Sequence, residues 1–396
     1  MYNRAVNRGW KIWSWVDNAF NKIYPQDYNP MYYLGGVSNL FFWFVIGTGI
    51  VLFLYYKPSL EEAYGSVDYL TQQVPYGQAV RGLHRYGADA MLIFVVLHWL
   101  RVWWTDRYRK FRSLAWISGV VLLVLTLLMG VSGYLLVWDE RSLLLIRMTQ
   151  WMVGGEQTWL GRLLVGGDRI TDYTLTRFLF FHLGVPFLML LFLWMHYIRI
   201  NRPVVYPPAL LTLQLFGIVF VACYLFPTVS MPRANLERLP EGMLVDWFFQ
   251  WGYAGAWWLQ QNGLGSVAYP FVALGLIAVS GLFFALPYLT QGSYLNVVKV
   301  IPEKCTGCEY CAIDCHANAI RMIPTPANIK SKGGKKVIAE ILPTRCAECG
   351  ICVGACPFGA IELPMYPEEA VLTRIRAITT GARQTVAVGN DRAVPS

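Results

Sequence analysis

Residues 81–101 read RGLHRYGADAMLIFVVLHWLR, an apolar segment in which His84 and His98 lie fourteen positions apart. A second apolar segment, residues 175–198, carries His182 and His196 at the same spacing. At 3.6 residues per turn, fourteen positions make close to four turns, so each pair shares one helix face with a rise of about 21 Å. Two such helices side by side would place two histidine pairs at two levels of a membrane.

This arrangement favours two bound haems. Neutral imidazole is a strong axial ligand for iron, and two axial histidines are typical of a six-coordinate haem used in electron transfer. The spacing predicts one haem near the outer face on His84 and His182, and one near the inner face on His98 and His196. A single membrane histidine is more often an interhelical hydrogen bond or part of a proton path, but two equally spaced pairs argue against that alternative.

The composition indicates a membrane protein. Of the 396 residues, 56% are hydrophobic and 14% are charged, against about 25% charged in soluble domains. Disordered, coiled-coil and nucleic-acid-binding classes are therefore excluded, and a fully soluble enzyme is disfavoured. Six segments approach the length needed to span a bilayer. They are residues 34–56, 79–104, 114–138, 175–198, 208–226 and 267–289.

The basic residues predict the orientation of the chain. The net charge of +9 lies mostly in short loops between apolar segments, where the positive-inside rule explains it without nucleic acid. The basic N-terminal segment and the basic loop after the second span place the N-terminus in the cytoplasm of a prokaryote. Six spans return the C-terminus to that side, whereas five or seven would not. We thus expect a multi-pass inner-membrane protein with a cytoplasmic C-terminal domain.

Haem propionates need cationic partners, and several arginines lie near the ends of the predicted spans. Each of them is equally an ordinary interfacial anchor. The outer candidates are Arg81, Arg85 and Arg177, and the inner ones are Arg101 and Arg199. Glycines at Gly47, Gly49, Gly119, Gly130 and Gly133 leave room for a flat macrocycle or for close helix packing.

Eight of the nine cysteines follow the last span in two runs of C-x2-C-x2-C-x3-C, and the second run ends in Cys356-Pro357. This is the bacterial ferredoxin spacing, in which the fourth cysteine of each run ligates the other cluster. The first predicted [4Fe-4S] cluster takes Cys305, Cys308, Cys311 and Cys356. The second takes Cys346, Cys349, Cys352 and Cys315. Zinc sites use paired ligands in a different pattern, and disulfides would require the oxidising side of the membrane.

Residues 1–200 resemble the cytochrome b of quinol-oxidising bc and bf complexes, especially the split bf form. The similar segments are LYYKPSLEEAYGSVDYL (54–70), RGLHRY (81–86), LAWISGV (114–120), GYLLVWDE (133–140) and TLTRFLFFH (174–182). Residues 208–289 resemble the second part of that family more faintly. Residues 297–365 resemble the dicluster ferredoxins, with VKVIPEKCTGC and ACPFGAIEL as the matching segments. The resemblance implies a four-helix bundle with two b haems and quinone sites near each membrane face.

The chain departs from that family at its quinone-site motif. The family's Pro-Glu-Trp-Tyr is represented by Pro240-Glu241, followed by Gly242 and Met243, with Trp247-Phe248-Phe249 only later. The candidates for proton transfer at the outer quinone site are Glu241, Asp139 and Glu140. Their sequence positions are equally compatible with ordinary loop carboxylates that have no such role. The cysteine that anchors an extra haem in the bf form is replaced by Tyr33.

The expected fold is an all-α membrane bundle of about six transmembrane helices, four of them forming a di-haem core, followed by a small α+β ferredoxin-like domain. The expected boundaries are 1–205 for the di-haem domain, 206–292 for two further transmembrane helices, 293–365 for the dicluster 2[4Fe-4S] domain, and 366–396 for a tail without a motif.

The expected function is that of a membrane electron-transfer subunit in a multi-subunit quinone oxidoreductase. Electrons would pass between a cytoplasmic redox partner, two [4Fe-4S] clusters, two b haems and a quinone of the menaquinone or ubiquinone type. The alternative is an electron-conducting anchor without its own quinone site, which would link an outer enzyme to an inner acceptor. Expected partners are membrane lipid and further subunits, such as cytochrome c or Rieske-type chains, in a dimer or larger complex without nucleic acid.

Overall fold

The computed structural model describes residues 12–13, 15–25, 28–104, 108–109, 112–198, 200, 203–238, 246, 248–289, 298–315, 319–326, 336–342, 346, 350–363, 387–388 and 392–393. Its main helices are α1 (Leu34–Phe53), α2 (Ala63–Gln72), α3 (Gly77–Trp104), α4 (Ser113–Val137), α5 (Glu140–Met152), α6 (Trp159–Val165), α7 (Asp172–Tyr197), α8 (Ala209–Leu225), α9 (Trp251–Leu259) and α10 (Ala268–Leu289). The predicted helical membrane bundle is thus confirmed.

Five helical segments in the described part of the chain are long and apolar enough to cross a membrane. They are Pro30–Phe53, Gly77–Trp104, Ser113–Val137, Asp172–Tyr197 and Trp251–Leu289. The last of them is interrupted between α9 and α10, where Asn262 and Gly263 leave helical geometry. The fifth predicted span, residues 208–226, corresponds to α8, a shorter apolar helix of 17 residues. Such a helix is about 25 Å long, at the lower limit for spanning the hydrocarbon core.

Apolar side chains of α1, α3, α4, α7 and α8 meet in the bundle core. Helix α3 packs along α1 and also against α8. One buried cluster joins Phe41 of α1, Met91 of α3, Met189 of α7 and Leu215 of α8. Met91 lies seven residues from both His84 and His98, and Met189 lies midway between His182 and His196. An apolar layer therefore separates the two histidine levels.

The chain between α4 and α7 folds into two short helices, α5 and α6. Asp139 caps α5, since its carboxylate accepts a hydrogen bond from the Ser142 backbone while Ser142 Oγ accepts one from the Asp139 backbone. This reciprocal capping box satisfies two backbone donors that a helix start otherwise leaves unpaired. Trp138, immediately before the cap, is buried and has a left-handed backbone with φ of 57°.

The C-terminal part is a small domain with few strands. Strand β1 (Lys299–Val300) pairs antiparallel with β4 (Ile361–Glu362), and β2 (Ile320–Pro324) pairs antiparallel with β3 (Val337–Ile341). Two one-turn helices, α11 (Tyr310–Ile313) and α12 (Ile351–Gly354), each begin after a residue with positive φ. Two short strands, β5 (Ala387–Val388) and β6 (Arg392–Ala393), also pair.

Contacts divide the chain into two compact units. The first comprises Met1–Asp106, Ile117–His196 and Val204–Ala285. The second comprises Arg107–Trp116, Tyr197–Pro203 and Leu286–Ser396.

Candidate functional site

The four membrane histidines meet in two pairs, one from α3 and one from α7 in each case. The rings of His98 and His196 have centroids 6.3 Å apart and an interplanar angle of 71°. His182 lies close enough to His84 for the two rings to interact electrostatically. An imidazole–metal bond is about 2 Å long. Two rings at the observed centroid separation therefore leave room for one metal ion between them.

Hydroxyl groups fix the orientation of three of these rings. Nδ1 lies 3.1 Å from Thr48 Oγ1 in His84 and 2.8 Å from Ser132 Oγ in His182. Both hydroxyls donate their own proton to a backbone carbonyl of the preceding turn. Their oxygens are therefore left to accept a hydrogen bond from Nδ1–H, and the proton on Nδ1 leaves the lone pair of Nε2 available to bind a metal ion.

His196 has the same kind of partner. Its Nδ1 lies 3.2 Å from Ser118 Oγ. The hydroxyl residue directly precedes a glycine at all three of these places, which are Thr48-Gly49, Ser118-Gly119 and Ser132-Gly133. At the fourth place, beside His98, the pair is Leu34-Gly35.

Each histidine packs against a glycine of a neighbouring helix. A Cβ atom added at the glycine would lie 3.1–3.3 Å from the imidazole Cε1 in every case, tighter than most real contacts. The pairs are Gly35 with His98, Gly49 with His84, Gly119 with His196, and Gly133 with His182. The glycines are themselves spaced fourteen positions apart on α1 and on α4. Both helices thus repeat the period of the histidine helices.

We expect Gly49→Ala to weaken the outer histidine pair. The new methyl group would lie 3.1 Å from His84 Cε1, and such overpacking costs about 1–3 kcal/mol. Gly47→Ala is the matched control, because a Cβ there meets no atom within 4 Å. Optical and electron paramagnetic resonance spectra of the purified variants test this: G49A should perturb one low-spin haem signal and G47A neither. Equal spectra for both variants would contradict the expected contact.

The candidate arginines engage protein groups. Arg81 donates to Thr71 Oγ1 and to Ser230 Oγ. Arg101 forms an ion pair with Asp17 at 2.9 Å and lies over the rings of Trp13 and Tyr32.

The remaining arginines differ in their setting. Arg177 reaches the Leu163 carbonyl at 3.5 Å and is exposed. Arg85 pairs with two aspartates, Asp89 and Asp246. Arg199 lies outside the described residues.

The candidate carboxylates take different positions. Both Asp139 oxygens accept hydrogen bonds, from Ser142 and from the Met231 backbone, so this carboxylate holds the cap and a neighbouring loop together. Glu140 begins α5 and donates its backbone N–H to the Pro232 carbonyl. Glu241 lies outside the described residues.

A different buried carboxylate is brought to the level of His84 and His182. Asp246 accepts hydrogen bonds from Arg85, from the Tyr134 hydroxyl and from the Phe248 backbone. Phe249, three residues later, packs against Gly130 of α4. A Cβ atom on Gly130 would lie only 2.0 Å from the Phe249 ring. Gly130 is therefore a packing position.

Four of the C-terminal cysteines lie around one cavity. Cys305, Cys308, Cys311 and Cys356 all border one cavity, together with Phe358 and other residues. Burial, reinforced by the three neighbouring thiols, raises the pKa of Cys311 to about 11. In the described residues, no three possible ligands converge on a single point as they would around one metal ion.

The two cysteine runs repeat in space as they do in sequence, with an offset of forty-one positions. Ala319 N–H donates to Cys315 Sγ at 3.2 Å, and Ala360 N–H donates to Cys356 Sγ at 3.3 Å. Cys346 and Cys352 are buried in the same domain core as Cys305 and Cys311. Cys349, the remaining ligand predicted for the second cluster, lies outside the described residues.

Comparison with known proteins identifies both parts. A family model described as cytochrome b/b6/petB matches residues 19–203, and one described as a 4Fe-4S dicluster domain matches residues 304–360. Cytochrome b6 of Synechococcus sp. (strain JA-3-3Ab) is 36% identical over 198 residues, covering 48% of this chain and 91% of the relative. Cytochrome b6 of Prochlorococcus marinus (strain NATL1A) is 35% identical, covering 47% and 88%. The chain belongs to the cytochrome b/b6 family.

This cytochrome b also has a structural relative. A solved chain named "Hyperthermophilic respiratory Complex III" aligns with a TM-score of 0.56 and 21% identity, covering 66% of this chain and 76% of that one. At this level of identity the likeness concerns the fold.

Family membership implies b-type haem in the bundle and 4Fe-4S clusters in the C-terminal domain, so this cytochrome b is a membrane electron-transfer protein. The residues fit both groups. The histidine rings are oriented by hydroxyls and faced by glycines, where a side chain would fill the space. Four thiols surround a cavity, and thiolate is the ligand that iron–sulfur clusters use.

Sequence reasoning missed three residues of this cytochrome b that the structure brings together: Asp89, Tyr134 and Asp246. The signal for Asp246 was present, because it is the acid directly before Trp247 in Val245-Asp246-Trp247-Phe248. That order matches the family's Pro-Glu-Trp-Tyr better than Pro240-Glu241 does.

Proposed function

We propose that this cytochrome b is a membrane electron-transfer subunit of a quinone-linked oxidoreductase. It would pass electrons between a cytoplasmic redox partner, two [4Fe-4S] clusters, two b haems and a quinone or quinol. The observation that carries the proposal is the presence, in one chain, of two oriented histidine pairs within a membrane bundle and a domain with eight cysteines.

The haems and clusters would supply one-electron carriers, and the protein side chains hold them in place. For the outer haem we propose His84 and His182, and for the inner haem His98 and His196. For the clusters we propose the two cysteine sets that the spacing predicts, including Cys349. The hydroxyl contacts at Nδ1 support Nε2 ligation in three of the four histidines.

We place the cluster domain on the cytoplasmic side. The chain after α3 carries the basic residues Arg107, Arg109, Lys110 and Arg112, and the chain after α7 carries Arg199 and Arg202. These residues follow His98 and His196 along the chain, and their basic character favours the inner face. This placement needs six crossings, so we count α8 as a span. A prokaryotic inner membrane and a complex with further subunits complete the proposal.

For the outer quinone site we propose Asp246 as the group that receives a proton from quinol. Its carboxylate is buried and lies on the same side of the bundle as His84 and His182, held by Arg85 and Tyr134. A carboxylate within reach of a quinol hydroxyl acts as a general base. Asp139 is a weaker candidate because its hydrogen bonds from the Ser142 and Met231 backbones give it a structural role in the helix cap and the adjoining loop.

A redox titration of the purified full-length protein tests the proposal. We expect two low-spin haem signals, two cubane cluster signals and roughly ten iron atoms per chain. Ubiquinol and menaquinol analogues should then reduce the haems in an inhibitor-sensitive reaction. If the cofactors are present but neither quinol reduces a haem, the chain is an electron-conducting anchor without its own quinone site. About two iron atoms per chain would contradict the cluster assignment.

A further inference from the structure

A buried ion group joins α3 to the segment before α9. Asp89 forms an ion pair with Arg85, one helical turn away on α3, and Arg85 also reaches Asp246 at 3.0 Å. The side chains of Asp89 and Asp246 are 9% and 3% exposed, and that of Arg85 is 31% exposed. Two carboxylates thus share one guanidinium inside a membrane bundle.

The charges of this group do not balance when both carboxylates are ionised. Two aspartates and one arginine leave a net charge of −1, which is costly in a low-dielectric interior. One bound proton makes the group neutral. The electrostatics therefore favour uptake of a single proton at this place.

Among the described residues, the charged groups that act on Asp89 are Arg85 and Asp246. Tyr134 of α4 donates its hydroxyl to Asp246 and lies 5.1 Å from the Arg85 guanidinium. Arg141 of α5 also lies over the Tyr134 ring, with its guanidinium carbon 5.4 Å from the ring centroid. Tyr86 is the neighbouring titratable group on α3.

We propose that Asp89 keeps Asp246 basic enough to accept a proton. Arg85 alone would hold Asp246 as a stable anion with little affinity for protons, because a neighbouring cation favours the ionised carboxylate. Asp89 offsets that cation, so the pair of carboxylates binds one proton. Asp89 is in this sense a positioning residue that acts through Arg85. Only its role in turnover rests on the proposed quinol function.

During quinol oxidation one proton would move from the quinol to the protein. The O–H bond of the quinol breaks, the proton passes to the Asp246 carboxylate, and the electron pair stays on the quinol oxygen. The net charge of the aspartate–arginine group changes from −1 to zero. Without the Asp89 charge the same step would change it from zero to +1, which burial opposes.

Infrared spectroscopy of the purified protein over a pH series tests the proton site without any quinol. We expect a reversibly titrating carboxylic-acid C=O band that is lost in Asp89→Asn and in Asp246→Asn. Asp89→Glu keeps the charge and should retain the band. Asp17→Asn is the matched control, because Asp17 pairs with a different arginine, Arg101, and should leave the band unchanged. Retention of the wild-type titration in D89N, or no such band in the wild type, overturns the proposal.

Quinol kinetics then test the role in turnover. D89N should slow quinol-driven haem reduction at least tenfold and flatten its dependence on pH, whereas reduction by dithionite should be unchanged. D89E should restore most of the quinol rate, which a purely structural role for Asp89 would not predict. If quinol reduces no haem in the wild type, the proposed function fails and the infrared result still decides the proton site.

Discussion

Replacing His98 with alanine is expected to remove one of two b-type haem signals and to leave the other intact. The ring of His98 faces His196 at 6.3 Å between centroids and packs on Gly35. Alanine removes a ligand atom that no neighbouring side chain of α3 can replace, because His84 lies four turns away. The remaining histidine alone cannot provide six-coordinate ligation, so the inner haem should be lost.

The outer haem should survive because an apolar layer lies between the two levels. Met91 and Met189 are buried in that layer, seven residues from each histidine on their own helices. Seven residues correspond to about 10 Å along a helix. Side chains that repack after the loss of the inner haem therefore should not disturb His84 or its Thr48 partner.

Haem content per chain and low-spin electron paramagnetic resonance signals give the measurement. His98→Ala should halve the haem content, and the reciprocal variant His84→Ala should halve it with loss of the other signal. The double variant should contain no b-type haem. If both signals persist in His98→Ala, the proposed pairing of ligands is wrong.

The grouping of the histidines on one helix face could be predicted from the sequence because helix geometry is regular. Fourteen residues return a side chain to the same face in any regular α-helix, so His84 and His98 needed no tertiary information to be grouped. The cysteine runs were readable for a similar reason, since a cluster demands ligands at short, fixed separations. In both cases a cofactor imposes a local pattern on the chain.

The glycines that contact the histidines could be predicted only in part from the sequence. Gly49, Gly119 and Gly133 were singled out, but Gly35 was missed because it lies at the start of its span, beside loop residues. Only packing distinguishes Gly49, which faces His84, from Gly47, which faces open space two residues away. A search for glycines fourteen positions apart would have found Gly35 with Gly49.

The outer carboxylates show the limit of motif reading. Pro240-Glu241 resembles the family motif in its first two residues, whereas Asp246 is distinguished by contacts with α3 and α4 that join residues more than a hundred positions apart. Asp89 was overlooked as one charge within a long apolar run. An ionisable residue inside a span is costly and therefore informative, but the contact that joins Arg85, its partner one turn away, to Asp246 became evident only from the fold.

Replacing Cys311 with serine is expected to have the largest effect on the C-terminal domain. Cys311 is 6% exposed and lies in the apolar core of that domain, beside the cavity that Cys305, Cys308 and Cys356 also line. Burial and the neighbouring thiols raise its pKa to about 11, so binding of iron must displace a proton there. A serine hydroxyl gives up its proton far less readily than a thiol, and it is a poorer iron ligand.

We expect Cys311→Ser to lose about four iron atoms per chain and one of the two cluster signals, with lower resistance of the domain to proteolysis. Cys352→Ser should remove the other cluster signal, since Cys352 holds the corresponding place in the second run. Cys223→Ser is the matched control: this thiol lies in α8 against Gly82 and belongs to neither run. Both haem signals should remain in all three variants, because the proposed haem ligands are the four membrane histidines. Unchanged iron content in Cys311→Ser would exclude it as a cluster ligand, and loss of iron in Cys223→Ser would show that the effect is not specific to the two runs.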